Sequence, residues 1–236
     1  MFFATMILLI CLISPAAADE NIANRDSLLT DLCDQLELVW PENHTITIVC
    51  HGHSVPAGYF KTPFVDTFNA YPHLLHMALK QRFPHAVINV IVTAIGGESS
   101  DNGAARFERD VLGLRPDLIT IDYALNDRGI GLEQAKTAWK KMIKMAQNEN
   151  IPLMLLTPTA DTRSDILNPD DPLNLHAQQI RDLAAKFNTG LVDSYAAFQA
   201  WVLQGNELDD LMSQINHPNR HGHDLVVAEL LKWFPD

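Results

Sequence analysis

The sequence predicts an α/β fold, a three-layer α/β/α sandwich around about five parallel strands. Apolar runs of strand length alternate with helical patterns along the chain, which is typical of a parallel sheet with helices on both faces. The strand-like runs are rich in Val, Ile and Leu and do not alternate with polar residues, as expected for strands covered on both sides. A chain of 236 residues is long enough to bury the core of one such domain.

Predicted strands and helices alternate along the chain. The strands cover residues 45–50, 86–93, 117–123, 152–157 and 190–193. The helices cover residues 25–38, 72–82, 102–112, 131–148, 172–187, 195–202 and 218–233. Pro72, Pro172 and Pro218 each suit the first turn of a helix, where the missing N–H has no intrahelical partner to lose. Neither a repeat nor a linker interrupts the pattern, so we expect residues 19–236 to form a single domain.

Residues 1–18 are predicted to be a secretory signal peptide. Residues 2–13 are nearly all apolar, Pro15 follows, and the next three residues are alanines that offer a cleavage site after Ala18. An uncleaved anchor is the alternative, but a membrane-spanning helix needs about 20 apolar residues. We therefore expect a secreted or periplasmic protein without stable membrane association after cleavage.

The overall charge restricts the expected partners. The formal net charge is -12 and no basic strip is present, which argues against binding to nucleic acid. The apolar fraction of 47% is ordinary for a globular protein.

Two cysteines, Cys33 and Cys50, remain after removal of the predicted signal. In an oxidising compartment they would be able to form a disulfide. Cys50 lies in an apolar strand and Cys33 in an amphipathic helix, however, so two buried free thiols are an equal alternative.

Four segments of the chain are expected to meet at one edge of the sheet. They cover residues 52–58, 95–100, 124–129 and 210–223. The first three follow predicted strands, and ligands in parallel sheets bind beyond the carboxyl ends of the strands. Such convergence of distant segments predicts an active site.

These segments resemble the four sequence blocks of the SGNH hydrolases, also called the GDSL esterase/lipase family. Gly52-His53-Ser54 is similar to the block that carries the nucleophilic serine, and the glycine pair ending at Gly97 is similar to the second block. Asn126 matches the asparagine of the third block, and His217 matches the histidine of the last. The resemblance extends over nearly the whole chain after the signal. It implies a flavodoxin-like sheet with the strand order 2-1-3-4-5.

The resemblance also implies a reaction and a role for each matching residue. Ser54 would attack an ester carbonyl while His217 removes its proton. The backbone N–H groups of Ser54 and Gly97, with the side-chain amide of Asn126, would form the oxyanion hole. A side chain at position 97 would crowd the approaching acyl group. The implied enzyme is a serine esterase that works through an acyl-Ser54 intermediate, with neither a cofactor nor a metal.

Gln214 marks the largest departure from the family pattern. The family has an aspartate three residues before its catalytic histidine, and this chain has Gln214 at that position. A carboxylate there orients the imidazole and stabilises its cation, whereas an amide supplies no charge. We therefore expect a Ser54–His217 dyad. Its ring would be held by Gln214, by a backbone carbonyl, or by a carboxylate such as Asp209 or Asp210.

Two further departures lie near the nucleophile. The residue before the serine is His53 instead of the family's aspartate, and Ala124 replaces a glycine of the third block. Asp122 stands at the end of the predicted third strand, next to the first strand in the expected order. A His53–Asp122 contact is therefore expected to brace the nucleophile turn.

The family resemblance and the predicted export together suggest a class of substrate. The resembling family acts on acetylated sugars, lysophospholipids, aryl esters and thioesters. Export and the lack of a long apolar lid favour a small acyl group, acetyl first, on a carbohydrate or another small molecule; lipase, lysophospholipase and thioesterase activities are the alternatives. Segments 59–71 and 158–172 are expected to shape the pocket. Four aromatic residues of the first segment would either stack on a sugar or pack over the sheet edge: Tyr59, Phe60, Phe64 and Tyr71.

Two other classes of function remain open. Histidine is the commonest metal ligand, and a metal-dependent hydrolase or metal-binding protein would use a cluster of the histidines at the predicted site. Those histidines are His51, His53, His217, His221 and His223. A catalytically inactive sugar-binding relative is the other class, because Gln214 replaces the expected acid.

Overall fold

The sheet has the predicted topology. A computed structural model describes residues 22–234, and within them five parallel strands form one sheet in the order β2-β1-β3-β4-β5. The strands are β1 Thr45–Gly52, β2 Val87–Val92, β3 Leu118–Asp122, β4 Leu153–Leu156 and β5 Gly190–Val192. The predicted fold class and strand order are thus confirmed. The predicted signal peptide, with its cleavage site after Ala18, lies outside the described residues.

Helices cover both faces of this sheet. The α-helices are α1 Arg25–Leu28, α2 Thr30–Leu36, α3 Ser54–Ala57, α4 Tyr71–Arg82, α5 Ser100–Asp110, α6 Leu132–Asn148, α7 Pro172–Phe187, α8 Ser194–Leu203 and α9 Arg220–Leu231. Short 3-10 turns lie at Thr67–Asn69, Leu112–Leu114, Asn126–Gly129 and Leu208–Leu211. A small antiparallel hairpin, β6 Met212–Gln214 with β7 His217–Pro218, precedes α9. None of the helices within residues 22–234 is long and apolar enough to cross a membrane.

The two-residue period of the strands divides the core into two layers. Ile46 and Ile48 of β1 face one layer, which contains buried residues of α2, α4 and α9. Val49 of β1 and Ile121 of β3 face the other layer, which contains buried residues of α5 and α6. Since neighbouring residues of a strand point to opposite faces, a continuously apolar strand contributes buried side chains to both layers. This arrangement explains why the strands do not alternate with polar residues.

Most helix ends lie within two residues of the prediction, and two of the differences have an identifiable cause. The predicted helix 25–38 is interrupted at Leu29, whose φ of -112° and ψ of 14° lie outside the helical region and whose side chain is buried. Pro218 does not begin the last helix, because it lies in β7. The side chain of Asn219 accepts a hydrogen bond from Gly222 N–H at 3.1 Å, so α9 begins after this cap.

Cys33 and Cys50 are free thiols, and both are buried. Cys50 lies in β1 between β2 and β3, where burial raises the pKa of its thiol to about 12. Burial also raises the pKa of Cys33. Of the two alternatives left open by the sequence, the structure has the unpaired one.

Candidate active site

The nucleophile turn follows β1 directly. His53 caps α3, and Ser54 is the first residue of that helix. A Cβ atom at Gly52 would lie 2.4 Å from the carbonyl oxygen of Asp122, so only glycine allows β1 to approach β3 this closely at its end. The backbone N–H of His53 also donates to this carbonyl oxygen at 3.2 Å. The turn that presents Ser54 is therefore fixed against the end of the neighbouring strand.

His217 reaches Ser54 from the hairpin that precedes α9. Its Nε2 atom lies 3.0 Å from Oγ of Ser54, although the two residues are 163 positions apart. The hydroxyl of Ser213 donates to the backbone carbonyl of His217 at 2.9 Å and so fastens the hairpin. Burial is the main cause that lowers the pKa of His217 below 6.5. The ring is therefore neutral at pH 7 and able to accept a proton.

The other ring nitrogen of His217 has two neighbours. Nδ1 lies 2.9 Å from Nε2 of Gln214 and 3.2 Å from the backbone carbonyl oxygen of Phe60. The backbone N–H of Thr62 donates to Oε1 of Gln214 at 2.9 Å, and this bond turns the NH₂ group of the amide toward the ring. The segment after α3 thus holds the histidine both directly and through Gln214.

Neither Asp209 nor Asp210 is a neighbour of the ring. Both are exposed on the 3-10 turn before β6. Asp210 contributes a backbone carbonyl to the side-chain amide of Asn219 at 2.9 Å. Among residues 22–234, the hydrogen bonds of the His217 ring go to Ser54 and to the two groups on its Nδ1 side, without a carboxylate.

The three expected oxyanion donors lie on the turns that follow β1, β2 and β3. Gly97 has a φ of +79°, a conformation that favours glycine, and a Cβ atom there would meet no atom within 4 Å. Space is thus open in front of this backbone. The N–H groups of Ser54 and Gly97 have no acceptor within the described part of the chain. The amide of Asn126 donates one N–H to the backbone carbonyl of Glu98 at 2.9 Å and has a second N–H to offer.

A buried ion pair holds the loop that contains Gly97. Nε of Arg106, on α5, donates to Oε1 of Glu98 at 2.9 Å, and the hydroxyl of Tyr123 donates to Oε2 at 2.7 Å. The Glu98 and Arg106 side chains are only 9% and 10% exposed. Because the carbonyl of Glu98 in turn accepts from Asn126, this pair positions two expected oxyanion donors. Sequence reasoning missed this network, since the contacts depend on how α5 packs over β3.

His53 lies beneath the nucleophile and is fully buried. Its Nδ1 atom lies 3.3 Å from Oγ of Ser54 and accepts a hydrogen bond from Val55 N–H, also at 3.3 Å. Its Nε2 atom lies 3.3 Å from Oδ1 of Asp122, close enough for a charge contact but not aligned for a hydrogen bond. The structure thus places the two residues in the expected contact, and both are buried.

The remaining histidines of the predicted site have separate surroundings. The ring of His51 lies against α5, with Nε2 3.2 Å from the carbonyl oxygen of Gly103 and Nδ1 2.9 Å from the hydroxyl of Thr93. His223 accepts from the backbone N–H of Tyr71 at 3.2 Å, and His221 is exposed on α9. The described residues contain no group of three or more side chains that would hold a metal ion. Within residues 22–234 these histidines therefore do not form the cluster that the metal-dependent alternative requires.

The aromatic residues of segment 59–71 also separate into two groups. Tyr71 is completely buried in the core, so it is not available to a substrate. The ring of Tyr59 lies 5.8 Å from that of His217, centroid to centroid, and is 40% exposed. A Cβ atom at Gly96 would approach this ring to 2.5 Å, so glycine makes room for Tyr59 at the mouth of the site. Phe64, 68% exposed, lies on the same segment.

The chain is an α/β protein with a serine and a histidine in contact at the carboxyl edge of its sheet, the pairing of nucleophile and base that acyl transfer uses. The chain belongs to the GDSL-like Lipase/Acylhydrolase family, whose family model matches residues 50–225. This membership confirms the resemblance read from the sequence blocks. No curated protein is significantly similar to the chain in sequence.

Solved structures with the same fold include two carbohydrate esterases. A two-domain esterase active on acetylated mannans has 21% identity and a TM-score of 0.72, over 92% of this chain and 54% of its own. Axe2, an acetylxylan esterase from Geobacillus stearothermophilus, has 20% identity and a TM-score of 0.69, over 81% of this chain and 94% of its own. The chain therefore spans about half the length of the two-domain esterase.

Proposed function

We propose that the protein is a serine esterase that removes small acyl groups, acetyl first, from a carbohydrate or a similar alcohol through an acyl-Ser54 intermediate. The observation that carries this proposal is the 3.0 Å contact between Nε2 of His217 and Oγ of Ser54. A neutral imidazole at this distance takes the hydroxyl proton as the oxygen attacks the ester carbon. The step needs no cofactor.

The two half-reactions use the same histidine. During acylation His217 receives the proton of Ser54 and then passes it to the leaving alcohol. A water molecule takes the place of the alcohol, loses a proton to His217 and hydrolyses the acyl-enzyme. His217 is only half-buried, so its ring can exchange protons with groups in the open site.

The negative oxygen of the tetrahedral intermediate would be held by the N–H groups of Ser54 and Gly97 and by the amide of Asn126. The first two donors lack a protein acceptor within residues 22–234, which supports this role. Preorganised donors of this kind typically contribute about a hundredfold or more each to the rate.

We further propose that the carbonyl of Phe60 holds His217 in its active tautomer. For Nε2 to accept the proton of Ser54, the ring's own proton must be on Nδ1. The Phe60 carbonyl is the acceptor that faces Nδ1, at 3.2 Å. Gln214 turns a donor toward the same atom, so it opposes this tautomer and does not replace the missing carboxylate.

The carbohydrate substrate is supported by the neighbours and by the surface of the site. The structurally similar esterases act on acetylated mannans and acetylxylan. Tyr59 lies beside His217 with its ring partly exposed, and Phe64 lies farther along the same segment. Aromatic faces of this kind are suited to pack against sugar rings. Segment 158–172 is proposed as the other wall of the pocket.

An ester panel tests the proposal. Acetyl to long-chain 4-nitrophenyl esters, acetylated xylan and acetylated mannan would be offered to the wild-type protein and to Ser54→Ala. We expect turnover of acetyl esters that falls with chain length, release of acetate from at least one polysaccharide, and loss of both in the variant. A preference for long acyl chains would indicate a lipase or lysophospholipase instead, and a preference for acyl thioesters a thioesterase. Activity that survives in Ser54→Ala would overturn the serine mechanism.

We also propose that the mature enzyme begins at Asp19 and acts outside the cytoplasm. The apolar run of residues 2–13 and the alanines before Asp19 support this proposal. Amino-terminal sequencing of protein recovered from the medium or periplasm would show Asp19 first. Recovery of the full-length chain only from the cytoplasm would contradict the proposal.

A further inference from the structure

We propose that His53, backed by Asp122, is a second proton acceptor for Ser54. This inference rests on the proposed serine mechanism and adds a catalytic residue to it. Two imidazole nitrogens contact the nucleophilic oxygen: Nε2 of His217 at 3.0 Å and Nδ1 of His53 at 3.3 Å. Among residues 22–234, only the second of these rings has a carboxylate beside its other nitrogen.

The hydrogen bonds around His53 define where its proton lies. Val55 N–H donates to Nδ1, so this nitrogen carries a lone pair and the ring proton is on Nε2. The Nε2 proton lies on the side of Asp122, at an N–O distance of 3.3 Å. Nδ1 is therefore an acceptor within reach of the Ser54 hydroxyl. The carboxylate, imidazole and serine follow one another as in a catalytic triad, with the two ring nitrogens exchanged.

Burial strengthens the attraction between His53 and Asp122 once the His53 ring has taken up a proton. His53 and Asp122 are 0% and 2% exposed, so the carboxylate is removed from water and from its screening. In the resting state Nε2 lacks an aligned hydrogen bond. A proton arriving at Nδ1 turns the ring into a cation, and its attraction to the nearby Asp122 then becomes an ion pair. The loss of the bond from Val55 N–H opposes this gain.

The second acceptor would serve only part of the reaction. As Ser54 Oγ forms its bond to the acyl carbon, its O–H bond breaks and the proton moves to Nδ1 of His53, while the carbonyl electron pair moves to the oxyanion. Because His53 is buried, it cannot hand this proton to a leaving alcohol. For an alcohol, the proton of Ser54 has to move to His217 instead, which faces the open site and passes this same proton to the alcohol. His53 therefore suffices only for leaving groups that depart as anions.

This division of labour gives a test that does not depend on the natural substrate. A fluorophosphonate probe reacts with an activated serine and releases fluoride, which needs no proton. The rate of Ser54 labelling would be measured in His217→Ala, in His217→Ala with His53→Asn, and in His217→Ala with Asp122→Asn. Asparagine at position 53 keeps an acceptor for Val55 N–H and is a favoured helix cap, but it cannot take a proton.

We expect His217→Ala to slow labelling by about tenfold while turnover of an alkyl acetate falls by at least about a hundredfold. Adding His53→Asn or Asp122→Asn should slow labelling by a further factor of about ten or more. Equal labelling rates in His217→Ala and in both double variants would overturn the inference, as would labelling of His217→Ala no faster than the chemical background. Circular dichroism and melting curves show which variants are folded, and either double variant suffices for the comparison. Absence of labelling in the wild-type protein would instead refute the serine mechanism itself.

Discussion

Nε2 of Gln214 lies 2.9 Å from Nδ1 of His217, so an amide stands where a charged orienting group would be expected. The orientation of the Gln214 amide is set by Thr62, whose backbone N–H donates a hydrogen bond to Oε1. An N–H of Gln214 and the proton of Nδ1 therefore compete for the same space. Donation by Gln214 favours the tautomer with the proton on Nε2, which cannot act as a base, whereas the Phe60 carbonyl favours the active one.

Replacing Gln214 by glutamate should raise activity. A carboxylate of nearly the same shape would accept the Nδ1 proton and stabilise the His217 cation, and we expect kcat/KM for an aryl acetate to rise by about tenfold at pH 8. Burial lowers the pKa of His217 in the native protein, and the new charge would raise it. The acid limb of the pH profile should therefore move to higher pH. Gln214→Ala serves as the control for loss of the amide alone, and a decrease in folded Gln214→Glu would show that the site requires a neutral partner.

Truncating Asn126 tests the proposed oxyanion hole. Asn126→Ala removes a donor without touching the Ser54–His217 contact, so kcat should fall by about a hundredfold with little change in KM. Steady-state kinetics on an acetyl ester measure this split. Asn126→Asp is the matched variant, since it keeps the shape and places a negative charge beside the oxyanion. Its activity should be no higher than that of the alanine variant, and near wild-type activity in either one would exclude the assigned role.

The ion pair between Arg106 and Glu98 should matter for stability as well as activity. Arg106→Met leaves the Glu98 carboxylate buried without its cation, which is expected to cost about 3 kcal/mol of unfolding free energy. Urea denaturation measures this loss. In the double variant with Glu98→Gln the uncompensated charge is gone, so most of the stability should return. An additive loss in the double variant would show that the two side chains are not coupled.

Acid should destabilise the fold at an unusually high pH. His223 is buried and accepts a backbone hydrogen bond at Nδ1, and burial is the main cause that lowers its pKa to about 3. An unfolded histidine titrates near pH 6.5, so the unfolded chain binds a proton that the folded chain refuses as pH falls from about 6.5 toward 3. The unfolding free energy should fall there by up to about 1.4 kcal/mol per pH unit for this residue.

Two other buried histidines add to the same effect. Burial lowers the pKa of His51 and of His176 to about 4. Melting temperatures should be level from pH 8 to about 6.5 and should then decrease, before the carboxylates titrate. His223→Asn keeps an acceptor for Tyr71 N–H but does not titrate in this range, so its melting curve should depend less steeply on pH. Parallel curves for the two proteins would contradict this account.

Much of the architecture could be predicted because it follows from local patterns. The five strands appear as apolar runs, and the expected His53–Asp122 contact follows from the pairing of Gly52 with Asp122 in neighbouring strands. The start of α9 was missed, because a side-chain cap at Asn219 and a short hairpin together override the preference of Pro218 for a helix start. The network of Glu98 has no local signal, since it depends on side-chain packing between α5 and β3.

The position of His217 on a hairpin has a consequence for any attempt to change this enzyme. Through Gln214 and Phe60, the base is bonded to the same segment that carries Tyr59 beside the site and the exposed Phe64. Grafting a foreign loop onto residues 59–69 to obtain a new specificity would therefore also disturb the proton acceptor. Libraries that redesign the entrance should vary position 214 together with the loop. Substrate binding and the catalytic rate would then be selected together.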